Sequence, residues 1–288
     1  MKPLKYMNFF IKCFIGTLLL ANVYLSSSWG WNALGHRLVA QIAVDQLPKY
    51  KVKQLNQLNH ELDVVYPPIS LVNSAIWPDL LKGYEVTWFD PYHYINLPFS
   101  DDHTKLPEVS GANAVDAVYK SLKIINSNRA TGYDKGVSLR ILMHVTGDLH
   151  QPLHAATRVS KKYPQGDKGG NLYYLRANSI SNVLHGYWDK GGGFLSPAYP
   201  VNKSKLKQMA RQLEAKWPCS KAKLNLNPSA WADESHKIAV NIAYSIPEHT
   251  SPDRIYQQKV KNISQQRIVL AGCRLGELLQ RIQLSRLN

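Results

Sequence analysis

The segment His144-Val-Thr-Gly-Asp148-Leu-His-Gln-Pro-Leu-His154 sets an imidazole and a carboxylate four residues apart. On a helix that spacing puts both side chains on one face, where they can hold one divalent cation together. Pro152 ends the helix and frees His154 to turn towards the same region. His185-Gly-Tyr-Trp-Asp189 repeats the four-residue spacing, and Trp77-Pro-Asp79 and Tyr92-His93-Tyr94 lie upstream. A single His–Asp pair is more often an ordinary polar pair, and His93 between two tyrosines also reads as a core histidine. Two independent pairs in a chain with ten histidines shift the reading towards a metal site. His150 lies inside the first block at a spacing that matches no ligand position, and His60, His103, His236 and His249 read as surface histidines.

Helices must position these groups. Apolar spacing at Leu34, Leu38, Ile42 and Val44 predicts a helix from Ala33 to Leu47, stopped at Pro48. Further helices are predicted for Leu71–Lys82, Gly111–Asn128, Asp134–Gln151, Lys203–Trp217, Pro228–Ile246 and Pro252–Gln283. Gly166-Asp-Lys-Gly-Gly170 reads as a turn, and Leu172–Leu175 as a short strand. The fold class is therefore all-α: a helical bundle with long loops and at most a short β-hairpin. No repeat or flexible linker divides the chain, so residues 31–288 read as a single domain.

The first 30 residues read as a signal peptide: Lys2, Lys5 and Lys12 precede an uncharged run from Phe14 to Leu25, and Ser28-Trp29-Gly30 supplies small residues before a cut. That run is too short to span a bilayer comfortably, so no stable membrane insertion is expected after cleavage. The protein is then secreted or periplasmic, with Trp31 at its new N-terminus. Export leaves Cys219 and Cys273 in an oxidising compartment, where they form either a disulfide or two buried thiols, the bond being the expectation. Losing the three lysines lowers the formal charge from +15 to +12, which favours a polyanionic partner: nucleic acid, an anionic membrane or a cell-wall polymer. No obligate protein partner is inferred.

Seven landmarks, in order and at suitable separations, resemble those of the trinuclear-zinc nucleases. They are Trp31-Asn-Ala-Leu-Gly-His36, Trp77-Pro-Asp79, His93-Tyr-Ile-Asn96, the His144 to His154 block, Gly169-Gly-Asn171, His185-Gly-Tyr-Trp-Asp189 and Trp231-Ala-Asp-Glu-Ser235. This family includes fungal single-strand-specific nucleases and plant bifunctional nucleases, with bacterial zinc-dependent phospholipases C as more distant relatives. The resemblance implies a helical bundle of that type and three zinc ions per chain. Asp79, His93, His144 and Asp148 would hold one ion. The α-amino group and carbonyl of Trp31 would hold a second, with His36 and Asp148. His154, His185 and Asp189 would hold the third. A terminal amine can ligate only after the leader has gone and the group has lost its proton.

The implied reaction is attack of metal-activated hydroxide on phosphorus, with Asp79, Lys82 and Asp148 as catalytic residues. Single-stranded DNA or RNA would yield 5′-phosphate products, and 3′-nucleotides would lose their phosphate. Lys82 would offset charge on phosphoryl oxygens; it also reads as a solvated helix-end lysine. Tyr94 occupies the family's base-stacking position, or is a core aromatic. Asn96 replaces a frequent Asp at the base edge and offers both a donor and an acceptor. Lys190 replaces a frequent Asn. Two alternatives share these features: a zinc phospholipase C acting on a lipid phosphodiester, and a non-catalytic zinc- or polyanion-binding envelope protein. The full set of candidate ligands disfavours the latter.

Overall fold

A computed structural model describes residues 30–81, 85–220 and 224–283. Asn32 caps the first helix by accepting from Gly35 N, and α1 runs Ala33–Asp45. α2, Lys49–His60, is not among the helices that periodicity predicts. Its aliphatic residues are Val52, Leu55 and Leu58, of which only Leu55 and Leu58 are buried, beside the polar Lys51 and Asn59, so its apolar stripe is narrow. The predicted helix over Leu71–Lys82 is instead a 3-10 turn, Asn73–Ile76, followed by the short α3, Trp77–Leu81. Pro78 has no N–H to donate backwards, so a continuous ladder cannot pass through it. α4 spans Ala114–Ile125 and α5 spans Gly132–Asp148. α6 is the short Leu184–Asp189, followed by α7 at Lys203–Lys216, α8 at Pro228–Asn241 and α9 at Arg254–Arg281.

The architecture is all-α. α1 packs on α9, and α4 on α5. These faces enclose the principal core around Leu38, Ile42, Leu142, Met143, Val145 and Leu275. A second cluster, around Trp188, Tyr187, Leu153 and Val260, supports α6. Strand content is as slight as expected, a two-residue parallel ladder of β1 (Pro98–Phe99) against β2 (Thr157–Arg158). At the predicted strand Leu172–Leu175, Tyr174 makes an isolated antiparallel bridge with Val183. Cys219 and Cys273 form a disulfide that ties the segment after α7 to α9. Among the described residues no helix is long and apolar enough to cross a membrane.

Candidate metal centre

α5 positions the site. Thr131 and Asp134 form a reciprocal capping box at its start, and almost every residue from Ser138 to Asp148 is buried. The last turns of this core helix therefore carry His144 and Asp148 into the interior, where both are fully buried. Polar groups pulled that deep must find partners or ligands.

Three groups of donors surround this point: Asp79, His93 and His144; His36, His144 and Asp148; and His154, His185 and Asp189, each with ligand atoms within 4.8 Å of one another. The first pair of groups shares His144, and Asp148 reaches both. His144 Nε2 lies 2.9 Å from His93 Nδ1. It is also 3.1 Å from Asp148 Oδ2 and 3.6 Å from Asp79 Oδ1. His93 Nδ1 is 3.2 Å from Asp148 Oδ2 and 3.9 Å from Asp79 Oδ1. The other carboxylate oxygen, Asp148 Oδ1, is 3.3 Å from His36 Nε2. In the third group His185 Nε2 is 3.4 Å from Asp189 Oδ1. Ligands about 2.0–2.1 Å from a tetrahedral zinc lie about 3.3 Å apart, so these separations bracket the edges of such a site.

The imidazoles are also set in the tautomer that a cation needs. His144 Nδ1 donates to Ala75 O at 2.7 Å, His154 Nδ1 to His93 O at 2.6 Å and His185 Nδ1 to Gly169 O at 2.6 Å. A carbonyl only accepts, so Nδ1 carries the hydrogen and Nε2 turns a lone pair to the cluster. His154 Nε2 and Asp148 Oδ1 are buried and make no hydrogen bond. A divalent cation is the partner that this donor chemistry fits. Two glycines make room: a Cβ at Gly147 would stand 2.8 Å from His36 Nδ1. At Gly169, where φ is near +63°, a Cβ would clash with Leu153 O.

Electrostatics divides the groups. Burial, then His144, holds His36 down to about 4. Burial, then His154, takes His185 down to about 3. Burial also opposes charge on His144, but the Asp148 and Asp79 carboxylates outweigh it and raise the group to about 9. Burial would raise Asp148, yet His144 and His154 hold it well below the usual carboxylate range. Asp189 goes the other way, pushed well up by burial. A cation against Asp189 would reverse that push, because it favours the carboxylate.

The N-terminal arm enters the same cluster. Trp31 is fully buried in the main core, and Asn32 N donates to Asp189 O at 3.2 Å while its side chain donates to Leu195 O at 2.8 Å. Gly30 fits between Asp148 and His36 so closely that a Cβ there would clash with the carboxylate. Trp31 follows Gly30 directly in the chain. Lys82 and residues 1–29, where the signal peptide is expected, lie outside the described residues.

Residues 31–283 match the family model for S1/P1 nuclease. The chain belongs to the S1/P1 nuclease family. It is similar to Endonuclease 2 of Arabidopsis thaliana, at 25 % identity over 88 % of this chain and 90 % of that protein. Endonuclease 4 of Arabidopsis thaliana is 26 % identical, over 88 % of this chain and 89 % of the relative. Nuclease S1 of Aspergillus oryzae is 26 % identical over 60 % of this chain and 56 % of its own length. The protein is thus a nuclease, a phosphodiesterase by reaction.

In this S1/P1 nuclease a clamp that sequence reading did not assign lies behind α5. Glu234 accepts from Arg267 Nη1 at 2.8 Å and from both ends of the Arg274 guanidinium at 2.7 Å. Arg274 Nη1 also donates to His150 Nε2 at 2.8 Å, and His150 Nδ1 donates to Thr146 O at 2.7 Å. Ser235 Oγ donates to Leu149 O at 2.5 Å. Trp231 packs against His150, with ring centroids 5.3 Å apart. The Trp231–Ser235 landmark therefore fixes the exit of α5, just past Asp148. His150, expected to match no ligand position, is a buried neutral strut, held well below its ordinary range by burial and then by Arg267 and Arg274. Its only sequence signal was its place inside the motif block.

The two residues expected to meet substrate follow His93 closely in the chain. Tyr94, directly after His93, is 40 % exposed, so its ring is not a core aromatic. Asn96 is half-buried two residues on. Lys190 Nζ donates to Ile180 O at 2.8 Å, which ties that lysine to the loop before α6.

Proposed function

We propose that this S1/P1 nuclease hydrolyses single-stranded DNA or RNA to 5′-phosphate products and removes phosphate from 3′-nucleotides, using three zinc ions. The convergence of three buried donor groups on the end of α5, two of them sharing Asp148 and His144, carries the reading. Asp79, His93, His144 and Asp148 would hold one zinc. His36, Asp148 and the freed N-terminus of Trp31 would hold another, and His154, His185 and Asp189 the third. Bound there, zinc supplies Lewis acidity to a water and to the phosphate oxygens.

The chain's own residues do the rest. Asp148 and the backbone-anchored imidazoles keep the donor set rigid, so little reorganisation accompanies reaction. Tyr94 offers a face on which a splayed base stacks, which a duplex does not provide. Asn96 donates to or accepts from the edge of that base. Lys82 offsets negative charge on the phosphate. One domain from Trp31 onward would carry all of this after cleavage of the leader behind Gly30. Export of the protein agrees with the Cys219–Cys273 disulfide.

Turnover on denatured DNA, RNA, duplex DNA and phosphatidylcholine, with zinc counted by atomic spectrometry, tests this. Single strands should be cut fastest, and the active protein should hold close to three zinc ions. A preference for phosphatidylcholine, or full activity in metal-free protein, would refute it.

A further inference from the structure

Next to the segment that carries His93 lies an aromatic cavity of about 520 Å³, within the range of small-ligand sites. Trp77, Trp88, Phe89, Tyr92, Tyr133 and Lys120 define it. Its walls are ordered by ring packing. Phe89 and Tyr92 stack with centroids 5.6 Å apart, and Trp88 meets Phe89 edge-on at 5.5 Å. The Arg140 guanidinium lies 5.4 Å from the Trp77 ring and backs it from the core. The rings are not all spent on packing: Trp88 is 56 % exposed and Tyr133 is at the surface.

The rim is polar. Lys120 Nζ donates to Tyr92 Oη at 3.4 Å and lies 5.2 Å from that ring's centroid. Tyr66 and Tyr133 bring their hydroxyl-bearing rings to the same lining. Asp134 also lines the cavity, but its Oδ2 is engaged by Thr131 in the α5 cap. Exposed rings with a lysine at the edge are the pairing that holds a nucleobase and its phosphate.

One short segment joins this cavity to the metal centre. Trp88, Phe89 and Tyr92 face the cavity, His93 enters the donor cluster, and Tyr94 is exposed beyond it. Phe89 touches His93 edge-on at 4.9 Å, and Trp77 opens the turn that carries Asp79. We propose that this cavity is a second base-binding site, which holds a nucleotide of the same single strand next to the one being cut. The inference rests on the single-strand reading above and adds where the strand continues.

Two measurements on the zinc-loaded protein test it. The first is fluorescence-anisotropy binding of a phosphorothioate 12-mer. The second is the ratio of kcat/KM for a cleavable 12-mer to that for a dinucleotide, which is too short to fill both positions. Trp88→Ala should weaken 12-mer binding and lower the ratio about tenfold, through KM, in keeping with the loss of one base stack. Trp88→Tyr should restore most of the binding, and Lys120→Ala should weaken it and make it less sensitive to salt. Lys120 is exposed, so its variant folds even where the Trp88 variant does not. Unchanged affinity and an unchanged ratio in both alanine variants would overturn the proposal. So would Trp88→Ala weakening capture of a short-chain phosphatidylcholine while sparing the 12-mer. Failure of the wild type to cut any single strand would sink the functional reading, whereas the anisotropy result would still decide the cavity.

Discussion

Gln151 Nε2 donates to Asp189 Oδ1 across 2.6 Å, and Gln151 Oε1 accepts from Leu153 N at 2.6 Å. The amide is fully buried. Its orientation is fixed, because Leu153 N can only donate and Asp189 accepts. Gln151 thus pins the carboxylate that stands with His154 and His185 to the exit of α5. Gln151→Leu should leave that carboxylate unrestrained and weaken metal at this group about 10–100-fold. A competition titration with a zinc chelator reads this directly: one ion should come off at lower chelator concentration than in the wild type. Identical release of all ions would remove Gln151 from this role.

Asp148 offers both of its oxygens, Oδ2 towards His93 and His144 and Oδ1 towards His36. Asn keeps one oxygen and replaces the other with an amide donor, which repels a cation. Asp148→Asn should therefore disturb two donor groups at once. The fall in kcat should exceed the roughly 100-fold upper range for residues behind the ligands. Zinc content should drop by more than one ion per chain. Wild-type turnover in this variant would contradict the bridging role.

The sequence made the His–Asp pairs visible because both members sit one helical turn apart, so spacing alone put them on one face. Asp79 and His93 are different. They meet His144 across 51 or more residues of chain, and only the family resemblance joined them. The clamp was hidden for the same reason: Glu234 has no local partner, and its role exists only because α9 brings Arg267 and Arg274 to it. α2 escaped because three apolar residues among polar ones carry a weak periodic signal. The parallel ladder at Pro98 and Thr157 is two residues long, too short to show alternation. Trp31 and Gly30 were placed by resemblance, and their burial beside His36 has no signature in composition.

The disulfide spans 54 residues. Closing a loop of that length removes denatured-state entropy equivalent to about 4 kcal/mol at most, and native bonds commonly contribute about 2–4 kcal/mol. Cys219→Ala with Cys273→Ala should lower the urea midpoint accordingly while leaving zinc content at the wild-type level, because neither sulfur is among the donor groups. Loss of zinc in the double variant would show that the bond also braces the centre.

Acid should unlock the clamp in a way that one substitution can isolate. Burial would raise the Glu234 carboxyl, but hydrogen bonds and charge from Arg274 and Arg267 bring it down to about 2 from an ordinary 4.5. A carboxyl depressed on folding stabilises the native state above its unfolded value, and that contribution fades as pH falls from about 4.5 towards about 2. Glu234→Gln removes the charge at every pH and leaves two buried guanidiniums without their counter-ion. Urea unfolding should therefore find the variant less stable than the wild type near pH 7. The gap should stay level down to about pH 5 and narrow below it as the Glu234 carboxyl of the unfolded wild type takes up a proton while the folded one stays ionised. Protonation of the donor histidines affects both proteins alike and cancels in the difference. The Glu234 side chain is 37 % exposed, so added salt should shrink the gap as well. A gap that stays constant down to pH 3 would mean that the arginines draw nothing from this carboxylate.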